Sequence, residues 1–177
     1  MKSIFNPANN AELIDRINKI NADTPPLWGK MNAAQMMAHM QVCINMAFGN
    51  IPATRCWIGR LAGSFGKRRQ LKVTELDRHI PTFKQAEITD YRDFETEKNG
   101  LIALTQSALK KGAQALVKYP HPYFGKFYGD EWSQLNWKHF DHHLRQFGSG
   151  PIAKILVDAS LPYPATANSY SSSGKSG

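Results

Sequence analysis

The chain has 177 residues, 42% of them hydrophobic and 20% charged, which suits one domain with a full core and is too short for two comfortable ones. Its formal charge of +8 favours anionic partners in general, and no apolar run approaches a membrane span, so no membrane association is expected. Met1 to Pro7 lacks the apolar region of a signal peptide, and the two cysteines, Cys43 and Cys56, are expected as reduced thiols in a cytoplasmic protein.

Asn10 to Asn21 is expected as the first helix, with Leu13, Ile14, Ile17 and Ile20 at helical spacing and Pro25-Pro26 closing the loop behind it. Asn32 and Gln35 have the spacing of a capping box, which opens a second helix from Ala33 to Phe48. Met36, Met37, Met40 and Met46 lie on that helix and suit core filling better than soft-metal ligation. Gly49 is its expected stop. From Asn50 to Thr89 the pattern weakens. Cys56 to Phe65 could form a short helix despite Gly59 and Gly63, and the polar, basic stretch to Pro81 is expected as a long surface connection. The run Lys67 to Lys72 could meet phosphate or nucleic acid, but it lacks interleaved aromatics, which favours a solvated loop.

Asp90 to Lys111 is expected as the third long helix, ended by Gly112. Tyr119 to Gly125 follows as a rigid aromatic loop with two prolines around His121. The fourth long helix runs from about Asp130 to Phe147, stopped by Gly148. Four long amphipathic segments predict an all-α bundle with a long crossover between the second and third. Residues 1–150 form the expected domain. Residues 151–177 are a C-terminal extension, with a short strand or helix from Pro151 to Ser160 and a Ser/Gly-rich, irregular end.

The last helix puts His139 and His143 four residues apart, on a face shared with Trp132, Leu135 and Phe147. Imidazoles on an apolar face need partners for their nitrogens, which a divalent metal or core hydrogen bonds could supply. His39, mid-way along the second helix with Gln35, Met36 and Cys43, can face that pair if the two helices are neighbours. Three histidines would leave a coordination position open, as in catalytic zinc sites, although imidazole also suits nickel, iron or copper. Cys43, one turn beyond His39, offers a rival ligand or a small buried hydrophobe. His142 is expected at the surface, His79 and His121 in loops, with His121 placed to line a pocket entrance. Asp141 points away from the histidines and is expected to pair with Lys138 or Arg145, so the helix brings no carboxylate general base to their face.

Pro26 to Met40, His121 to Gly125 and Glu131 to Gly148 together resemble the DinB/YfiT-like metalloenzyme superfamily, and most closely a bacterial subfamily of unassigned function. The resemblance covers roughly residues 8 to 150. It implies an up-down-down-up four-helix bundle whose metal site uses one histidine of the second helix and two of the last. These fall on His39, His139 and His143. It further implies a small-molecule substrate, a thiol-dependent transferase or isomerase using a low-molecular-weight thiol, zinc or nickel as the metal, and a homodimer. A non-catalytic, metal-stabilised or ligand-binding bundle is the alternative, and nucleic-acid binding through Lys67 to Lys72 ranks last.

Overall fold

The computed structural model describes residues 2–52, 54–78, 80, 82–116 and 120–151. His79, Tyr119 and the extension from residue 152 onward lie outside these residues. The described chain is all-helical: α1 Pro7–Asn18, α2 Ala33–Ala47, α3 Trp57–Lys72, α4 Phe94–Lys111 and α5 Gly129–Gln146, with short 3-10 turns at Lys84–Ala86 and Ala113–Leu116. None of the described helices is long and apolar enough to cross a membrane.

Local chemistry accounts for the ends. Asn6 caps α1 by accepting from the Asn9 amide at 3.1 Å, and Pro7 fits its first turn, so this helix begins and ends three residues earlier than its apolar spacing suggests. The capping box of α2 is complete: Asn32 Oδ1 accepts from the Gln35 amide at 2.9 Å, and Gln35 Oε1 from the Asn32 amide at 3.1 Å. Asp93 caps α4 through the Thr96 amide at 2.9 Å, which moves its start four residues past Asp90. Gly112 and Gly148, both at φ +73°, follow the ends of α4 and α5 in the left-handed region.

The segment expected as a surface connection is where sequence and structure part. The basic run Lys67 to Lys72 belongs to α3, not to a loop. Gly59 and Gly63 form the inner face of that helix, because a Cβ at either would come within 2.5 Å or less of the Tyr123 carbonyl oxygen. The same pairing is fixed by the Cys56 amide donating to Pro122 O at 3.2 Å. Trp57, Leu61 and Phe65 consequently face outward and are exposed.

Helices α2 and α4 pack together, α1 packs on α4 and α5, and α5 reaches α2 and α3. Leu13, Ile17, Met36, Met37, Met40, Ile44, Leu101, Phe140 and Leu144 are fully buried between them. The methionines therefore fill the core, as their spacing suggested.

A buried cation crosses this packing. Arg16 of α1 is only 1% exposed; its Nε donates to Ser149 O at 2.7 Å and its Nη1 lies 2.9 Å from Asp141 Oδ1. Asp141 also pairs with Arg145 at 3.0 Å, while Lys138 donates to Gln70 O and Leu71 O at 2.7 and 3.1 Å. Asp141 thus takes Arg145 and the unforeseen Arg16, but not Lys138. Removing one member of a buried pair strands the other, so Arg16→Leu should lower unfolding free energy by about 3 kcal/mol in urea titration. A loss below about 1 kcal/mol would show the pair to be dispensable.

Candidate metal centre

Helix α2 delivers His39, and α5 delivers His139 and His143 on one face. Their Nε2 atoms converge: His139 Nε2 lies 3.1 Å from that of His39 and 3.1 Å from that of His143. The other nitrogens fix the protons. His39 Nδ1 donates to the Ala86 carbonyl at 2.7 Å. His143 Nδ1 lies 2.8 Å from Gln146 Oε1, and Gln146 Nε2 donates to Trp28 O at 2.6 Å. Because the amide nitrogen is committed to Trp28, the amide oxygen faces His143, and Nδ1 must donate.

A neutral imidazole that donates through Nδ1 has only a lone pair on Nε2. His39 and His143 therefore both present lone pairs to His139 Nε2, which carries one proton at most. One of the two 3.1 Å contacts can be a hydrogen bond. The other then needs an electrophile between its nitrogens, or it is repulsive.

Protonation is not the remedy, because burial and mutual repulsion hold the cluster neutral. Burial lowers the His39 pKa, against the opposing Ala86 hydrogen bond. His139 and His143 are held well below the usual 6.5, first by burial and then by neighbouring histidines.

Two edges of the histidine set match those around a divalent cation. Tetrahedral coordination by imidazole places neighbouring nitrogens about 3.3 Å apart, close to both observed separations. Cys43 Sγ stands 3.8 Å from His39 Nε2, near the roughly 3.6 Å edge between a nitrogen and a sulfur ligand. His39, Cys43 and His139 form a group whose donor atoms all lie within 4.8 Å of one another. This group holds Cys43 in place of His143, whose Nε2 nevertheless makes a 3.1 Å contact with His139. Burial pushes the Cys43 thiol up to about 12, so without a cation it stays protonated.

The profile of the family described as "Protein of unknown function (DUF1569)" matches residues 8–149. The chain belongs to that family. The match includes α5, all of α1 except Pro7, and every residue of the histidine cluster. No curated protein and no solved structure matches the chain.

The cluster opens into a cavity of about 560 Å³, lined among others by Trp28, His121, Trp132 and Asn136. That is the size of a small-molecule site. His121, expected at a pocket entrance, is among the residues that line this cavity. His142 differs from the surface residue expected: it is half-buried, borders the cavity and packs edge-on against Trp28 with ring centroids 5.6 Å apart. Cys43 and Cys56 are both free thiols. Gln146 and the Ala86 carbonyl escaped the sequence reading. Gln146 sits three residues beyond His143, a spacing that signals contact on a helix. A backbone carbonyl in an irregular segment leaves no such trace.

Four histidines with depressed pKa values make this protein acid-sensitive. The unfolded chain takes up protons as pH falls below 6.5, whereas His39, His121, His139 and His143 take them up only at lower pH in the fold. Their depressed values favour folding least in acid: stability is complete above 6.5 and declines as pH drops below it. For His121, held down to about 3, the loss between pH 7.5 and 5.5 is about 1.4 kcal/mol, and the other three add to it. Urea midpoints of metal-free protein should fall over that interval, and equal midpoints would contradict the burial.

Proposed function

We propose that this protein is a metal-dependent enzyme of the DinB/YfiT-like class. His39, His139 and His143 would hold a divalent cation, zinc or nickel, beside a cavity for a small molecule. The observation that carries the reading is the meeting of two forced lone pairs at His139 Nε2. Structural histidines would instead be expected to pair donors with acceptors throughout. The contacts of α1 and α2 with both α4 and α5, and the place of α3 in the long connection between α2 and α4, support the proposed four-helix bundle.

A cation held there supplies a Lewis acid, lowering the pKa of a thiol or water bound beside it. Helix α5 brings no free carboxylate to the histidines, which favours thiol chemistry over hydrolysis assisted by a base on that helix. Asp141, the carboxylate of α5 nearest in sequence to the histidines, is committed to Arg16 and Arg145. Ala86 O and Gln146 Oε1 orient two of the three imidazoles and raise their basicity. A low-molecular-weight thiol is the proposed co-substrate.

The test is uptake of cobalt or zinc by protein purified without a histidine tag, measured by elemental analysis and titration. One equivalent should bind, and His39→Ala should abolish binding while the helical circular dichroism persists. Gln146→Ala should weaken affinity about 10–100-fold, as loss of an orienting partner does elsewhere. Wild-type protein that takes up no metal in dialysis would sink the reading.

The position of Cys43 favours a second reading, a closed four-ligand site that stabilises the fold without turnover. Cobalt distinguishes the two. In the open site, the cobalt spectrum lacks a sulfur charge-transfer band until a thiol is added, and Cys43→Ser leaves it unchanged. In the closed site, wild type shows the band unaided and Cys43→Ser abolishes it.

A further inference from the structure

At the end of the cavity away from the histidine cluster, the loop through His121 has a fixed shape. The His121 amide donates to Gly125 O at 2.8 Å, and the Gly125 amide returns to His121 O at 3.0 Å. Inside this turn, His121 Nδ1 accepts from the Tyr123 and Phe124 amides at 3.2 and 3.3 Å. An imidazole that accepts at Nδ1 carries its proton on Nε2. Burial keeps the ring neutral down to about pH 3, so it remains an uncharged donor.

The His121 ring stacks on Phe124 at 4.6 Å and lies 5.4 Å from the Trp132 ring, both measured between centroids. Trp132 is 4% exposed, and its Nε1 is a buried donor with no hydrogen-bond partner among the described residues. Indole N–H groups buried in proteins ordinarily find an acceptor. None of the described residues accepts from His121 Nε2 either. Both rings line the cavity that holds the histidine cluster, where Ile80, Phe83, Ile88 and Leu135 contribute apolar wall.

We propose that this end of the cavity binds the carbonyl oxygen of an uncharged, largely apolar ligand, with His121 Nε2–H and Trp132 Nε1–H as its donors. Two neutral donors in an apolar wall suit a carbonyl. Lys67, which lies over the adjoining Phe127 ring, is engaged by Glu131 at 2.7 Å and offers a carboxylate no free counter-charge, and the cation that lines the cavity, Lys30, belongs to the segment of Trp28 and Met31. Trp132 precedes His139 by seven residues of α5, so the carbonyl sits about 10 Å along the helix from the cluster. As a binding site this needs no metal; as a substrate class it rests on the metal-enzyme reading above.

Three isosteric probes test it on the full chain, with and without zinc: acetophenone, α-methylstyrene, which replaces C=O by C=CH2, and benzoate. Affinities come from ligand-observed NMR. The preference for acetophenone over α-methylstyrene should fall roughly 3–10-fold in His121→Asn and in Trp132→Phe, as loss of one hydrogen bond predicts. Asparagine can still accept the two loop amides but has no donor reaching the cavity, whereas His121→Gln should retain much of the preference. An unchanged preference in both His121→Asn and Trp132→Phe overturns the proposal. So does tightest binding of benzoate, which would make the ligand an anion. A wild-type imidazole 1H–15N spectrum placing the His121 proton on Nδ1 overturns it without any variant. Carbonyl preference without zinc uptake sinks only the metal reading; zinc uptake without the preference sinks only this one.

Discussion

His39 and His143 each give their single proton to a partner outside the cluster, one to the Ala86 carbonyl and one to Gln146. Everything at the centre of the molecule follows from those two commitments. They turn two Nε2 lone pairs toward a third histidine, in a place too buried for any of the three rings to gain a charge. Hydrophobic packing alone would not collect these nitrogens at 3.1 Å, since apolar contacts have no directional preference. The helices are therefore arranged to satisfy a polar constraint inside an otherwise apolar core.

A second constraint works from outside the core. The His121–Gly125 turn lies against the backbone of α3, where Gly59 and Gly63 leave no side chain in its way. In turn Lys138 of α5 reaches the Gln70 and Leu71 carbonyls near the end of α3, where a cation also meets the negative end of the helix dipole. The wall bearing His121 is thus braced from two sides. Cavity and cluster share α5, so the two ends of the site are held in register by one rigid element.

Much of this was legible in the residues. Caps and stops were the surest, because Asn32 with Gln35, Gly112 and Gly148 each act within a single turn of backbone. The His139 and His143 pair was legible for the same reason: spacing of four residues fixes a shared helix face. The position of His39 needed the packing of α2 on α5, which rested on family resemblance rather than periodicity. Helix α3 was read only in part, since glycine lowers helix propensity and its packing role shows only once the His121 turn is in place. Its large apolar residues face outward, so the usual inside-outside reading of an amphipathic helix inverts there. Arg16 was invisible as a core residue because charged side chains are rarely fully buried, and the groups it reaches across the core, Asp141 and Ser149, lie 125 and 133 residues away.

The two anchors of the cluster differ in kind. Gln146 is a side chain, so one codon change removes it. Ala86 serves His39 through its main-chain oxygen, which every amino acid retains. Substitution at 86 can shift that oxygen by crowding a fully buried position, but cannot delete it. Mutational drift consequently meets the two histidines unequally: at α5 it acts on chemical identity, at residue 86 only on side-chain volume.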